Sequence, residues 1–89
     1  MLNIKILGPG CYNCERLRMA TVEALAMLGV EATILKVTDR AEFDRYGLLY
    51  TPGLVVNEKL VSAGRVPAAA EIVPLLSTAL DQAPQASPG

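Results

Sequence analysis

A strand–turn–helix–strand pattern in the first 37 residues constrains the fold more than any other feature of the chain. Residues 3–7 are almost all apolar and end at a Gly-Pro-Gly turn, which is typical of a short strand. Residues 12–28 repeat apolar side chains at helical spacing, and residues 31–37 alternate like a second strand. Such a β-α-β unit requires two parallel strands joined by a right-handed crossover.

The next segment predicts a short helix followed by a hairpin. Residues 39–46 begin with a capping-box pattern that favours a helix. Two apolar runs, 54–56 and 59–61, flank Asn57-Glu58, a two-residue connection that suits a β-hairpin. We therefore expect two antiparallel strands in this half of the chain.

A last helix completes the predicted fold. It is expected to start at Pro67, and Pro74 predicts either a kink or a start near Val73. The order β-α-β-α-β-β-α predicts an α/β fold with helices on both faces of a four-stranded mixed sheet. Residues 1–81 form one domain, and residues 82–89, which are small, polar and Pro-containing, are predicted to be a flexible C-terminal tail.

Charge and composition exclude several classes of partner. Eight Lys and Arg oppose nine Asp and Glu, and no basic stripe is present to bind nucleic acid or a lipid surface. The first residues do not read as a signal peptide, and no apolar stretch approaches the roughly 18 residues of a membrane span. We therefore expect a cytoplasmic protein without nucleic-acid or membrane partners.

The reactive residues narrow the chemistry further. The chain has no histidine and only two cysteines, Cys11 and Cys14. Histidine-dependent hydrolysis and histidine-containing metal sites are thereby excluded within this chain, and two cysteines alone do not complete a Cys₄ site. Of the chemistries that remain, thiol–disulfide chemistry of the cysteine pair is the leading candidate.

Cys11 and Cys14 lie in the turn from the first strand into the first helix. A helix N-terminus carries partial positive charge and unpaired N–H groups, which favour thiolate over thiol. We expect Cys11, at the exposed edge, to attack a substrate disulfide and Cys14, one turn inward, to resolve the mixed disulfide. Two inert buried thiols are the structural alternative.

Residues 46–54 read Tyr-Gly-Leu-Leu-Tyr-Thr-Pro-Gly-Leu. This segment resembles the thioredoxin-superfamily pattern Tyr-Gly-apolar-x-x-Thr/Ile-Pro-x-Leu, and it follows a β-Cys-x-x-Cys-α unit at the right distance. With the Gly-x-Gly-Cys-x-x-Cys opening, residues 3–80 resemble the small redox-active disulfide proteins called glutaredoxin-like proteins or mini-thioredoxins. Together the two motifs are far more specific than either alone.

The resemblance implies a thioredoxin-like fold and a thiol–disulfide oxidoreductase. It implies that Pro52 is cis beside the cysteine pair, that the backbone of Thr51 pairs with an extended substrate, and that Tyr12, Tyr50 and Gly53 line the groove. It also implies protein disulfide substrates and a reductase of unidentified type, with no cofactor beyond the Cys11–Cys14 disulfide and no metal. We expect a monomer.

The sequence departs from the family pattern at the strand acid. Where thioredoxins carry a buried acid on the first strand, this chain has Lys5, which is expected to extend outwards or to stabilise a thiolate. Lys36 resembles the lysine partner of that acid. The glutaredoxin Gly-Gly-x-Asp segment is replaced by Ala63-Gly64-Arg65, so glutathione dependence is weakly supported.

Two alternative functions share the dithiol. A Cu(I)-binding module of the metallochaperone type also carries Cys-x-x-Cys between a strand and a helix, although its element order is β-α-β-β-α-β. A dithiol sensor of oxidants or of thiophilic agents such as arsenite is the third class.

Overall fold

The computed structural model describes residues 2–86, with side chains to residue 81. Its elements follow the predicted order β-α-β-α-β-β-α, which is therefore confirmed. The elements are β1 (Leu2–Leu7), α1 (Tyr12–Leu28), β2 (Ala32–Val37), α2 (Arg40–Arg45), β3 (Gly53–Val56), β4 (Lys59–Ala63) and α3 (Ala69–Ala86). A helix follows β2 and another ends the described chain, so the order is not that of a metallochaperone module. Among the described helices, none has the length and apolar character needed to span a bilayer.

The four strands form one mixed sheet in the order β2-β1-β3-β4. β1 pairs in parallel with β2 and antiparallel with β3, and β4 lies antiparallel to β3. At one end of the sheet Leu7 pairs with Gly53. The turn that follows β1 and the loop that precedes β3 therefore lie side by side.

Apolar side chains pack on both faces of this sheet. On one face, Ile4 and Ile6 of β1 belong to a core that also contains Leu17 of α1 and Ile72 of α3. On the other face Leu7 packs in a second cluster, whose remaining buried members are Phe43, Leu48 and Val55. The predicted placement of helices on both faces is confirmed.

The last helix differs from its prediction at both ends. α3 begins at Ala69, not at Pro67 or near Val73, because the Ala68 carbonyl accepts the backbone N–H groups of residues 71 and 72. It continues to Ala86, so the described backbone is helical at residues 82–86, where the sequence predicts a tail. The rest of the predicted tail, residues 87–89, lies outside the described residues.

The predicted hairpin turn at Asn57-Glu58 is confirmed, and it uses φ values of 50° and 70°. Positive φ at both central positions is the type I′ arrangement that matches strand twist. Glu58 is an unusual residue there, but its carboxylate accepts a 2.6 Å hydrogen bond from the Tyr46 hydroxyl and lies 3.2 Å from the Lys5 ammonium. These polar contacts hold Glu58 in the turn.

Candidate active site

The cysteine turn and the Thr51–Pro52 loop meet because their strands are paired. Gly8–Cys11 follow Leu7 directly, and Thr51–Pro52 precede its partner Gly53. β1 and β3 are the two central strands of the sheet, so each segment is attached to a strand that is paired on both sides. The fold therefore brings together the two motifs that the sequence separates by almost 40 positions.

Cys11 is the N-cap of α1, with extended backbone at φ −82° and ψ 173°. Its sulfur accepts the backbone N–H of Cys14 at 3.3 Å, which satisfies one of the free donors of the first turn. Cys11 is half-buried, whereas Cys14 is only 7% exposed. Both cysteines are free thiols, and their sulfurs lie 2.7 Å apart. Closing a disulfide of about 2.05 Å therefore requires little side-chain movement.

The two sulfurs differ electrostatically. The hydrogen bond from the Cys14 thiol, followed by that from the Cys14 backbone N–H, lowers the pKa of Cys11 below that of an ordinary thiol. Burial raises the pKa of Cys14, and the hydrogen bond to Cys11 adds to this shift. Cys11 is thus the sulfur that ionises first, and it is also the more accessible of the two. These properties are those of an attacking thiolate beside a protected partner.

Gly8 makes room for the Cys14 sulfur. A Cβ on Gly8 would overlap the Cys14 Sγ, and it would lie 3.5 Å from the Cys14 Cβ and 3.9 Å from the Thr51 Cβ. In the sequence Gly8 indicates only a turn, and no neighbouring residue indicates this packing role. The absence of a side chain on Gly8, directly after β1, therefore leaves the space that the Cys14 sulfur occupies.

The loop before β3 is anchored from the other side by β4. The Thr51–Pro52 peptide bond is cis; Pro52 is buried and Thr51 is exposed. The Pro52 carbonyl accepts the Gly64 N–H at 2.9 Å, and a Cβ on Gly64 would lie 3.0 Å from the Tyr50 Cβ. Gly64, which the sequence offers only as part of a doubtful glutathione motif, thus positions this loop.

The predicted rim residues fall into two groups. Tyr12 and Tyr50 are exposed at the ends of the two active-site segments, and Leu49 beside Tyr50 is exposed as well. The sequence does not indicate the exposure of Leu49, because an apolar residue next to another apolar residue is usually expected to be buried. Gly53 is buried, and a Cβ there would meet the Leu48 side chain at 2.7 Å. Its part in substrate binding stays a prediction.

The ammonium group of Lys5 contacts Tyr46 and Glu58 and lies away from the two cysteines. Its ammonium donates to the Tyr46 hydroxyl at 2.7 Å and pairs with Glu58 at 3.2 Å, and these two partners, Tyr46 first, raise the pKa of Lys5. Its position in β1 faces α2, whereas Cys14 packs in the core on the opposite face. Of the two expected roles for Lys5, outward extension agrees with these contacts.

Metal ligands are few around the thiols. Within the part of the chain that the structure describes, no three His, Cys, Asp or Glu side chains are grouped as a metal site would need. The arrangement therefore offers two soft thiolates at most.

Paired thiols at a helix start, beside a proline loop on a β2-β1-β3-β4 sheet, define a dithiol protein of thioredoxin-like fold. A family model described as "Thioredoxin domain" matches residues 2–77. The chain therefore belongs to the thioredoxin family. Thioredoxins are thiol–disulfide oxidoreductases, and this chain is a member of that enzyme family.

Two curated relatives agree with this assignment. A thioredoxin of Methanothermobacter thermautotrophicus is 38% identical over 77 residues, which cover 86% of this chain and 100% of the relative. A thioredoxin of Methanocaldococcus jannaschii is 33% identical over 81 residues, which cover 91% of this chain and 93% of the relative.

Solved structures with little sequence identity share the fold. Thioredoxin-2, described as a component of the malaria parasite protein secretion machinery, superposes with a TM-score of 0.64 at 10% identity, covering 88% of this chain and 82% of its own. The germline-specific thioredoxin Deadhead of Drosophila melanogaster gives a TM-score of 0.60 at 12% identity, covering 86% and 79%. These likenesses support the thioredoxin-like architecture.

Proposed function

We propose that this oxidoreductase reduces or forms disulfides in protein substrates through a mixed disulfide at Cys11. The Cys11 thiolate attacks a substrate disulfide, and one substrate sulfur leaves as a thiolate. Cys14, after losing its proton, attacks the Cys11 sulfur and expels the second substrate thiolate. The substrate gains two electrons while Cys11 and Cys14 become a disulfide, and both steps run in either direction.

The observation that carries this proposal is the contrast between two sulfurs only 2.7 Å apart. Cys11 is accessible and has a lowered pKa, while Cys14 is buried and has a raised pKa. Two inert thiols packed as small hydrophobes would not need this contrast. The asymmetry suits one sulfur that attacks and one that resolves.

The substrate is proposed to bind to the surface around Cys11. An extended substrate segment would pair with the backbone of Thr51, an exposed residue beside Pro52, as in strand addition. In this proposal the exposed rings of Tyr12 and Tyr50 and the buried Gly53 at the start of β3 would line the groove for that segment. In this scheme the protein is a cytoplasmic monomer without a bound cofactor. A separate reductase reduces the Cys11–Cys14 disulfide after each turnover.

Reduction of insulin disulfides, with dithiothreitol as the electron source, tests the proposal. We expect turnover above the dithiothreitol background, and Cys11→Ser should remove it completely. Cys14→Ser should retain the first attack and accumulate mixed disulfides that mass spectrometry identifies. Equal activity of Cys11→Ser and the unmodified protein would contradict the assignment of Cys11.

The same preparations test the copper and sensor alternatives. Metal analysis of protein purified under reducing conditions should find no stoichiometric copper. Bound copper together with no insulin reduction would replace the oxidoreductase with a Cu(I)-binding module. Stoichiometric arsenite binding without turnover would favour a dithiol sensor.

A further inference from the structure

The outer face of α1 is exposed and rich in apolar side chains. Of the seven large apolar side chains that are exposed in the described part of the chain, four belong to this helix. They are Tyr12, Met19, Val22 and Met27, with exposed fractions of 43–78%. The outer face of a helix usually carries polar side chains. A group of exposed apolar side chains there indicates a surface that another molecule covers.

Two exposed charges lie among these apolar side chains. Tyr12, Arg16, Met19, Glu23 and Met27 follow one another at helical spacing and form the outer stripe of α1. Seven positions separate the two charges, which places them about 10 Å apart along the helix. Within the described residues, neither charge takes part in an ion pair. Both charges are therefore available to a partner.

The order of side chains in the outer stripe is self-complementary. It presents an aromatic ring, a cation, a methionine, an anion and a second methionine. Suppose that a second copy of α1 packs antiparallel, about a twofold axis that passes between positions 19 and 20. Arg16 of each copy then faces Glu23 of the other, and Tyr12 faces Met27, because the members of each pair are equally far from the axis. An identical face thus meets it with opposite charges, as an isologous interface requires.

A groove beside the outer stripe offers a place for the central methionine. The groove lies between α1 and the segment that leads into α3, and Val66 and Pro67 belong to its lining. Its volume is about 860 Å³, and Arg16, Met19 and Glu23 also line it. Met19 lies next to the proposed axis and is 59% exposed, so Met19 of one copy can enter the groove of the other. A projecting side chain and a groove on one face let two identical surfaces interdigitate.

We propose that this protein forms a weak antiparallel dimer through the outer stripe of α1, in which Arg16 of each copy pairs with Glu23 of the other. This inference goes beyond the proposed function and does not depend on it. α1 has 17 residues, so the interface is about 25 Å long and one helix wide. Interfaces of this small size are transient, and we expect association at protein concentrations of about 0.1–1 mM. The dimer covers Tyr12 beside Cys11, so the monomer remains the form that binds substrate.

Sedimentation equilibrium of the reduced protein tests the dimer, with a phosphine reductant present to prevent intermolecular disulfides. Between about 10 μM and 1 mM, the average mass should rise from that of a monomer towards that of a dimer. Arg16→Glu turns both charged contacts into pairs of carboxylates, and Glu23→Arg turns both into pairs of guanidinium groups. Each single variant should therefore raise the dissociation constant about fivefold or more. Arg and Glu both favour helix, so these exchanges preserve α1.

Exchanging the two charges identifies the contact. The double variant Arg16→Glu/Glu23→Arg restores opposite charges at both contacts, so its dissociation constant should return to within about twofold of that of the unmodified protein. An equimolar mixture of the two single variants should also associate, because the carboxylates of one chain then face the guanidinium groups of the other. Neither single variant should do so alone at the same concentration. Association in the mixture would also show that both variants are folded.

Matched controls lie on α2, which packs on the opposite face of the sheet. Arg40→Glu and Asp44→Arg change the net charge by the same amounts at exposed positions, and they should change the dissociation constant less than about twofold. An unmodified protein that stays monomeric at about 1 mM would overturn the dimer. Equal weakening by the α2 controls, or a double variant and a mixture that do not recover, would overturn the pairing of Arg16 with Glu23.

Discussion

Gly8→Ala tests the packing on which the active site depends. The added Cβ would occupy the space of the Cys14 Sγ, while the Cys14 Cβ, at 3.5 Å, and the Thr51 Cβ, at 3.9 Å, would make ordinary contacts. Gly8 is not among the glycines with positive φ, so an alanine meets no backbone penalty there. The cost of the substitution therefore comes from one sulfur atom.

The size of that cost follows from overpacking. Inserting one methyl group into a filled core site typically costs about 1–3 kcal/mol. Neither side can yield easily, because Gly8 follows directly on central strand β1 and Cys14 is fixed in the first turn of α1. We expect Gly8→Ala to destabilise the reduced protein by about 2 kcal/mol. For a domain of this size such a loss is a large fraction of the whole stability.

Urea unfolding of the reduced protein measures this loss, and a second background identifies its cause. Cys14→Ala removes the sulfur but keeps the Cβ, so Gly8→Ala should then cost less than about 0.5 kcal/mol. The difference between the two backgrounds is the coupling energy between the methyl group and the sulfur. Equal costs in both backgrounds would refute the reasoning, because the overlap would then not involve the Cys14 sulfur.

Three further expectations concern ionisation and the Tyr46 contacts. The alkylation rate of Cys11 should reach its plateau at a lower pH than that of a free thiol, while Cys14 reacts more slowly throughout, as a pH series with mass analysis would show. Tyr46→Phe should cost about 1 kcal/mol in urea unfolding, because its hydroxyl bonds both Lys5 and Glu58; an unchanged midpoint would argue against that cluster. Tyr46 and then Lys5 lower the pKa of Glu58, so its contribution to stability is complete above about pH 4.5 and is lost as the pH falls through the lowered pKa. Glu58→Gln should therefore flatten the acid side of the stability curve.

The parts of the fold that sequence predicts well are those with local causes. The helix start at Cys11 and Cys14 follows from a Gly-Pro-Gly turn and from side chains three residues apart. The Asn57-Glu58 turn follows from two apolar runs with two residues between them. In both segments the residues that carry the signal are close in sequence to the helix start or the turn that they predict.

The parts that sequence misses depend on contacts between distant segments. The partners of Lys5 lie 41 and 53 positions away, and only the fold brings them together. The close approach of the Cys14 sulfur to Gly8 depends on how α1 is oriented relative to β1, and no short residue pattern predicts that orientation. The start of α3 differs from the prediction, because the Ala68 carbonyl accepts the N–H groups of residues 71 and 72 and the helix continues through Pro74.

The two lysines show how strand register decides chemistry. In sequence, Lys5 and Lys36 both read as basic residues near the carboxyl ends of neighbouring strands, and the family resemblance pairs these two positions. The observed register pairs Lys5 with Leu35 and Ile6 with Lys36, so the two side chains leave the sheet on opposite faces. An acidic residue in place of Lys5 would therefore direct its carboxylate to the face of the sheet that carries Tyr46, and not to the face that carries Lys36 and Cys14. Side chains of the sheet that face Cys14 share the face of Ile6, and on β2 the residue paired with Ile6 is Lys36.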